Sequence, residues 1–200
     1  MSLLVESIKI LNGRIYNLPL HEERINASRG RLFGLIEPIG LRRYIEIPEG
    51  FRNGLVKCRV LYDQKIQEVS FQSYSLRRIQ SIKVIEGHDI FYPDKLVDRK
   101  PLDDLYAQKG RCDEIIITRD GYLTDAYYYN IVCVKNNHYF TPKSPLLSGV
   151  MREFLIRKGK ISPIDIHRDE LMTFDQIHLI NALTPLGKCV VKPNQIFLTY

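Results

Sequence analysis

The chain has 200 residues, 44% of them hydrophobic, and 29 Lys and Arg against 23 Asp and Glu give a net charge of +6. That is enough for a real core in one large or two small domains, and the mixed-sign charge without any low-complexity run excludes a disordered chain. No apolar run approaches the roughly 20 residues that span a bilayer, and "MSLLVESIKIL" is broken by Glu6 and Lys9 too early for a signal-peptide core. The expectation is a cytoplasmic protein without membrane contact. Cys58, Cys112, Cys133 and Cys189 lie far apart with no C-x-x-C pair, which fits buried thiols rather than disulfides or zinc ligands.

Along the chain, "LLVESIKI" alternates apolar and polar residues and predicts a strand, with Asn12-Gly13 as a hairpin turn into "RIYNL". "LHEERINASRGRLFG" has helical spacing at Leu20, Arg24/Ile25, Ser28 and Leu32, and Gly34 is placed to end it. "GLVKCRVLYD" and "KIQEVSFQSYS" predict paired strands around Asp63-Gln64, and "SIKVIEG" a further strand. Gly87 and Pro93 then suggest a linker, so the expected domains are 1–87 and 88–200.

The second half opens with a short helix, "PLDDLYAQKG", framed by Pro101 and Gly110. "DEIIIT", "RDGYLTDA" and "YNIVCVKNNHYFTP" predict strands with turns at Asp120-Gly121 and Asn136-Asn137. A helix from Val150 follows, then strands in "PIDIHR" and "QIHLINAL" around a short helix in "DELMTF". Mixed elements with many hairpins predict an α+β fold rather than a doubly wound sheet. Neither G-x-G-x-x-G nor G-x-x-x-x-G-K-S/T occurs, so the common nucleotide loops are absent. Residues 1–87 carry 14 basic against 9 acidic side chains, which suits an anionic ligand or simply a solvated surface. No aromatic-basic RNA signature or helix-turn-helix pattern is present, so nucleic acid is not an expected partner.

"SPLLSGVMREFLIRKG" joins a Pro- and Gly-containing loop to a helix whose first turn has no acidic residue before Glu153. Such a helix start, at Gly149, Val150 and Met151, is an anion site by its exposed amides and dipole, unless Ser148 caps it.

"TPKSPLLSGVMR" resembles the T-P…L-x-G-I/V-x-R signature of the class IV, fold-type IV pyridoxal-phosphate enzymes, which include branched-chain and D-amino-acid aminotransferases and aminodeoxychorismate lyase. Further segments resemble the family in the same order: "LVESIKILNGRIYNLPLHEERINAS", "YPDKLVDRKPLDDL", "CDEIIITRDGYLTDAYYYNIVCVKNNHYFTP" and "QIHLINALTPLGKCV". The resemblance implies a two-domain fold, with a small α/β N-terminal domain and a larger β-barrel-like C-terminal domain with helices. It also implies pyridoxal 5'-phosphate (PLP) as cofactor, a homodimer, and a small anionic amine as substrate.

By the same resemblance the phosphate-binding Arg falls on Arg24, whose fork suits a phosphate dianion. Read alone, without the other matches, it is an exposed helix Arg paired with a neighbouring Glu. The Schiff-base lysine falls on Lys95, with Lys100 as the nearby competitor. Asp125, where most members have Glu, falls on the partner of the pyridinium nitrogen, and Asn130 on the family's Asn. Asn181, Ala182 and Leu183 fall on the segment that closes the phosphate and substrate side; otherwise they are a strand end and a turn at Pro185. Lys57 and Arg59, two apart on one strand, share a face; the family places a basic residue there against the substrate carboxylate, while strand-edge solubility is the alternative.

"GVMREF" and Arg99, four residues after Lys95, resemble aminodeoxychorismate lyases more than aminotransferases. The implied reaction is conversion of 4-amino-4-deoxychorismate to p-aminobenzoate and pyruvate. An aminotransferase acting on branched-chain or D-amino acids, or a non-catalytic relative, remains open.

Overall fold

The computed structural model describes residues 3–198, an α+β protein that divides into two compact units. One unit comprises Met1–Leu76 and Asp94–Asp98, and the other Arg77–Pro93 and Arg99–Tyr200.

The first unit is built on a four-stranded sheet of order β2-β1-β3-β4, with β1 Leu4–Leu11, β2 Arg14–Ile15, β3 Leu55–Tyr62 and β4 Ile66–Ser73, all antiparallel. The Asn12-Gly13 turn joins β1 to β2 as expected, both residues having positive φ. Strict alternation along β1 and β3 puts Leu4, Ile8 and Ile10 with Val56, Cys58 and Val60 on one buried face. Helix α1, Leu18–Phe33, covers it and ends at Gly34 in the left-handed conformation.

The buried stripe of α1 is His21, Ile25, Ser28 and Arg29. This corrects the expected stripe, since Leu32 is exposed and Leu20 only half-buried. The reason is polar: Arg29 donates to the carbonyls of Gln64 (3.0 Å) and Glu37 (2.7 Å), and His21 reaches an acid on β1. Hydrogen bonds, not apolar spacing, rotate this helix.

The second unit holds a mixed sheet of order β10-β9-β8-β7-β6-β5-β13. Its strands are β5 Ile82–Glu86, β6 Glu114–Arg119, β7 Tyr122–Ala126, β8 Asn130–Lys135, β9 His138–Pro142, β10 Ser162–Ile164 and β13 Ile196–Leu198. Strand β11, Gln176–Ile180, pairs with β8 and carries β12, Val190–Val191. Helices α2, Lys100–Ala107, and α3, Val150–Arg157, complete it. Strand β6 is buried along nearly its whole length, with the apolar run Ile115, Ile116 and Ile117 at its centre, as suits a strand covered on both faces.

A single cut at 87/88 is not how the chain divides. Strand β5 pairs in parallel with both β6 and β13, which carries residues 77–93 into the second unit. Residues 94–98 return to the first unit by backbone bonds to β1. "PIDIHR" shortens to the three-residue β10, and "DELMTF" is a 3-10 turn, Arg168–Thr173. All four cysteines are free, and Cys112 is only half-buried. Among the described residues no helix is long and apolar enough to cross a membrane.

Candidate active site

In the first unit, Glu6 occupies the buried phase of β1, in register with Leu4, Ile8 and Ile10, and has no exposed surface. His21 and Arg24, three apart on α1, project to the same side and both reach it. Arg24 grips the carboxylate with two parallel bonds, Nε to Oε1 at 2.7 Å and Nη2 to Oε2 at 2.6 Å. His21 Nδ1 lies 2.6 Å from Oε2.

Burial alone would raise the Glu6 carboxyl, but the charge of Arg24 and the bonds from His21 and Arg24 outweigh it and hold it well below the usual carboxylate range. Burial lowers the His21 pKa against the pull of Glu6, with the charges of Arg24 and Lys95 adding to that lowering. A neutral imidazole facing a carboxylate carries its hydrogen on Nδ1. Its Nε2 is buried with no hydrogen-bond partner among the described residues. Arg24 therefore has a Glu partner, but a buried one on the sheet rather than a neighbour on its helix.

Lys95 reaches this unit by strand addition. Leu96 bridges Leu4, Val5 donates to the Lys95 carbonyl at 2.9 Å, and Val97 donates to the Leu3 carbonyl at 2.9 Å. The preceding Asp94 is buried and clasped by Arg31, with Nε 3.0 Å from Oδ2 and Nη2 on Oδ1. These contacts fix the Lys95 backbone on the β1 edge. Lys57 and Arg59 share the opposite face of the sheet, across from Lys9 and Ser7 of β1, and the Lys57 ammonium lies 5.9 Å from the Tyr74 ring centroid. The structure thus groups Arg24 with Glu6 and His21 on one face, and sets Lys57 and Arg59 on the other.

In the second unit, Asp125 of β7 is the register partner of Asn130 of β8. Asn130 Nδ2 donates to Asp125 Oδ1 at 2.6 Å and to the Leu147 carbonyl at 2.9 Å, and the Leu147 N–H returns to Asp125 Oδ2 at 2.8 Å. Asp125 and Asn130 are thereby locked to the loop that enters α3. Burial pushes the Asp125 carboxyl up to about 7, against the donors Leu147 and Asn130 and the charge of Arg152. Glu114, also buried, is pushed up to about 7 for the same reason.

Helix α3 starts at Gly149, which has no side chain to cap it. The first intrahelical bond runs from Glu153 N–H to the Gly149 carbonyl, so the amides of Val150 and Met151 precede the helix ladder. A Cβ on residue 149 would sit 1.9 Å from Asn130 Oδ1. Only glycine lets the helix start approach Asn130 this closely.

Asn181 follows the Ile180–Asn130 pair of β11 and β8. Its Oδ1 accepts from Leu183 and Thr184 N–H at 3.0 and 2.9 Å, and its Nδ2 donates to the Tyr128 carbonyl at 3.1 Å. Its amide builds the turn after β11 and ties that turn beside Asn130. Ala182 is half-buried and Leu183 buried. Arg99 donates from Nη2 to the Tyr127 carbonyl at 2.5 Å and stacks over Tyr127 and Tyr128, 4.2 and 5.2 Å from their centroids.

Sequence reasoning missed Glu6, His21 and Arg152 as site residues. Arg152 is buried on α3, donates from Nη2 to the Pro142 carbonyl at 2.8 Å, and places its charge on Asp125. For Glu6 a signal existed: an acid in the buried phase of an alternating strand, ahead of a helix with His and Arg three apart.

Two results are expected from this geometry. Gly149→Ala should lower stability by about 1–3 kcal/mol, the usual cost of overpacking, because Asn130 and the Asp125 bond it makes must shift; thermal or urea unfolding measures this, and an unchanged midpoint would contradict it. The second concerns pH. Between about 4 and about 7 native Asp125 keeps a proton that the unfolded chain has lost. Stability of the ligand-free protein therefore falls as pH rises through that window and levels off above it. Asp125→Asn should make this slope shallower, the remainder coming from Glu114, which is raised over the same window, and identical slopes for parent and variant would contradict the shift.

Residues 102–190 match the family model for amino-transferase class IV. An uncharacterized protein of Haemophilus influenzae is 32% identical over 185 residues, 92% of this chain and 98% of its own length. A crystal structure from Haemophilus somnus 129PT, provisionally assigned as a 4-amino-4-deoxychorismate lyase, matches with a TM-score of 0.87 and 31% identity, over 93% of this chain and 98% of that one. The PLP-bound form of a hypothetical aminotransferase from Mycobacterium tuberculosis matches in fold, with a TM-score of 0.75 and 15% identity over 98% of this chain and 81% of that one.

Proposed function

This chain belongs to the class IV aminotransferase family of PLP-dependent enzymes, and we propose that it is a lyase converting 4-amino-4-deoxychorismate to p-aminobenzoate and pyruvate. The observation that carries the choice of lyase is the near-full-length similarity to the Haemophilus somnus protein. Met151 in "GVMREF", where aminotransferases usually carry Thr, agrees with it.

The residues fit pyridoxal phosphate as a donor set. The amides of Val150 and Met151, next to a glycine that packs closely on Asn130, suit a phosphate, and so does the Arg24 fork. Asp125 is a buried carboxyl with fixed orientation, suited to hold a proton on a ring nitrogen, and Asn130 sets its direction. Lys95 supplies the amine for the aldehyde. When bound, PLP supplies an electron sink that makes the substrate carbon bearing nitrogen acidic.

Lys95 Nζ takes the proton from that carbon, a general-base step. The C–O bond on the neighbouring carbon would then break, releasing enolpyruvate that takes up a proton and becomes pyruvate, and aromatisation of the ring would drive the step forward. Arg99 is the cation assigned to the substrate's carboxylates, while Lys57 and Arg59, on the sheet face opposite Arg24, take the surface role; the backbone of Asn181, Ala182 and Leu183 is assigned to closing the phosphate and substrate side. The reading includes a cytoplasmic homodimer, which gel filtration with light scattering checks.

The direct experiment supplies PLP-loaded protein with enzymatically made aminodeoxychorismate. Equimolar p-aminobenzoate and pyruvate are expected. Amino-group exchange that needs a 2-keto acid and gives no p-aminobenzoate would replace the lyase with an aminotransferase.

A further inference from the structure

We propose that Glu6, backed by His21, is a positioning residue that fixes the Arg24 guanidinium for an incoming phosphate. The proposal rests on the reading above that Arg24 takes the cofactor phosphate.

A guanidinium is planar, so pinning its Nε and Nη2 edge sets the plane and the direction of every other N–H. Glu6 pins that edge with two bonds, 2.7 and 2.6 Å, from a strand buried on this side. His21 completes the clamp by donating from Nδ1 to the same carboxylate at 2.6 Å. Exposure is graded in the direction a ligand needs: the Glu6 and His21 side chains have none, while that of Arg24 retains 16%. An anion arriving from solvent meets Arg24, and Glu6 stays behind it.

Stability alone is a poor reason for this arrangement. Glu6 interrupts a core of Leu4, Ile8, Ile10 and Ile25, and a buried ion pair of this kind is often matched or surpassed in stability by apolar residues of similar volume. His21 is left with a buried, unpartnered Nε2, a cost a purely structural contact need not carry. What the three polar groups gain is orientation of one cation.

The test compares two aldehydes on the full-length protein: PLP, and pyridoxal, which lacks the phosphate. Affinities are read from the absorbance change on binding. Glu6→Gln leaves one oxygen for two Arg24 donors, and PLP binding should weaken about tenfold while pyridoxal binding stays unchanged. Glu6→Asp, which keeps the charge but shortens the reach, should give a smaller loss in the same ratio, and it carries the test if Glu6→Gln does not fold. Equal weakening of both aldehydes, or no change in either, would overturn the positioning role. Arg24→Ala separates the two levels: if it alone shifts the PLP-to-pyridoxal ratio, only the role of Glu6 fails. If Arg24→Ala does not shift it, the assignment of the phosphate to Arg24 fails as well.

Discussion

Lys95→Ala is expected to leave a folded protein that stays colourless with PLP and loses turnover by at least about 10²–10⁴-fold, the range a positioned general base supplies. Folding should survive because the contact made by residue 95 with β1 is a backbone one: the Val5 N–H finds the same carbonyl whatever the side chain. Unfolding free energy should stay within about 1 kcal/mol of the parent. Lys100 is the internal control. Its ammonium is exposed and paired with Asp104 one turn along α2, at 2.9 and 3.1 Å, as a surface ion pair. Lys100→Ala should keep both colour and turnover; the reverse pattern would move the amine from position 95 to 100.

Asp125→Asn is the second large effect, with turnover expected to fall by about 10²-fold or more, in line with removal of one preorganised charge from a buried site. The structural reason is specific. Asp125 receives two donors on two oxygens, Asn130 Nδ2 and Leu147 N–H. An amide offers one oxygen, so one donor is left facing an NH2 group, and the charge that holds a ring proton is gone. Asp125→Glu restores the residue usual in the family and keeps both acceptors. It should retain more activity than the amide at every pH, and an amide variant more active than the Glu variant would contradict the role.

The local elements were legible because their signals are local. Alternation marked β1 and β3, the turn residues at 12–13, 120–121 and 136–137 all adopt positive φ, and Gly34 ends α1. The glycine start of α3 was legible, although the contact that demands glycine, with Asn130, joins residues far apart in sequence. Long-range pairing was not legible. Three-residue strands such as β10 and β13 carry too short a pattern to read, and each is defined by a parallel partner elsewhere. The domain boundary moved for this reason, and so did residues 94–98, whose attachment to β1 is made by backbone atoms that leave no trace in side-chain type. The buried face of α1 misled because it follows Glu6 and two carbonyls rather than apolar spacing. Arg152 was visible within the motif, but its charge matters through the burial of Asp125, which only the fold sets.

Borohydride reduction of the PLP-treated protein, followed by peptide mass mapping, tests the assignment of the amine most directly. One pyridoxyl group per chain, on the peptide containing Lys95, is the expected result. Labelling at Lys100 or another lysine, or no label after saturation with PLP, would contradict it.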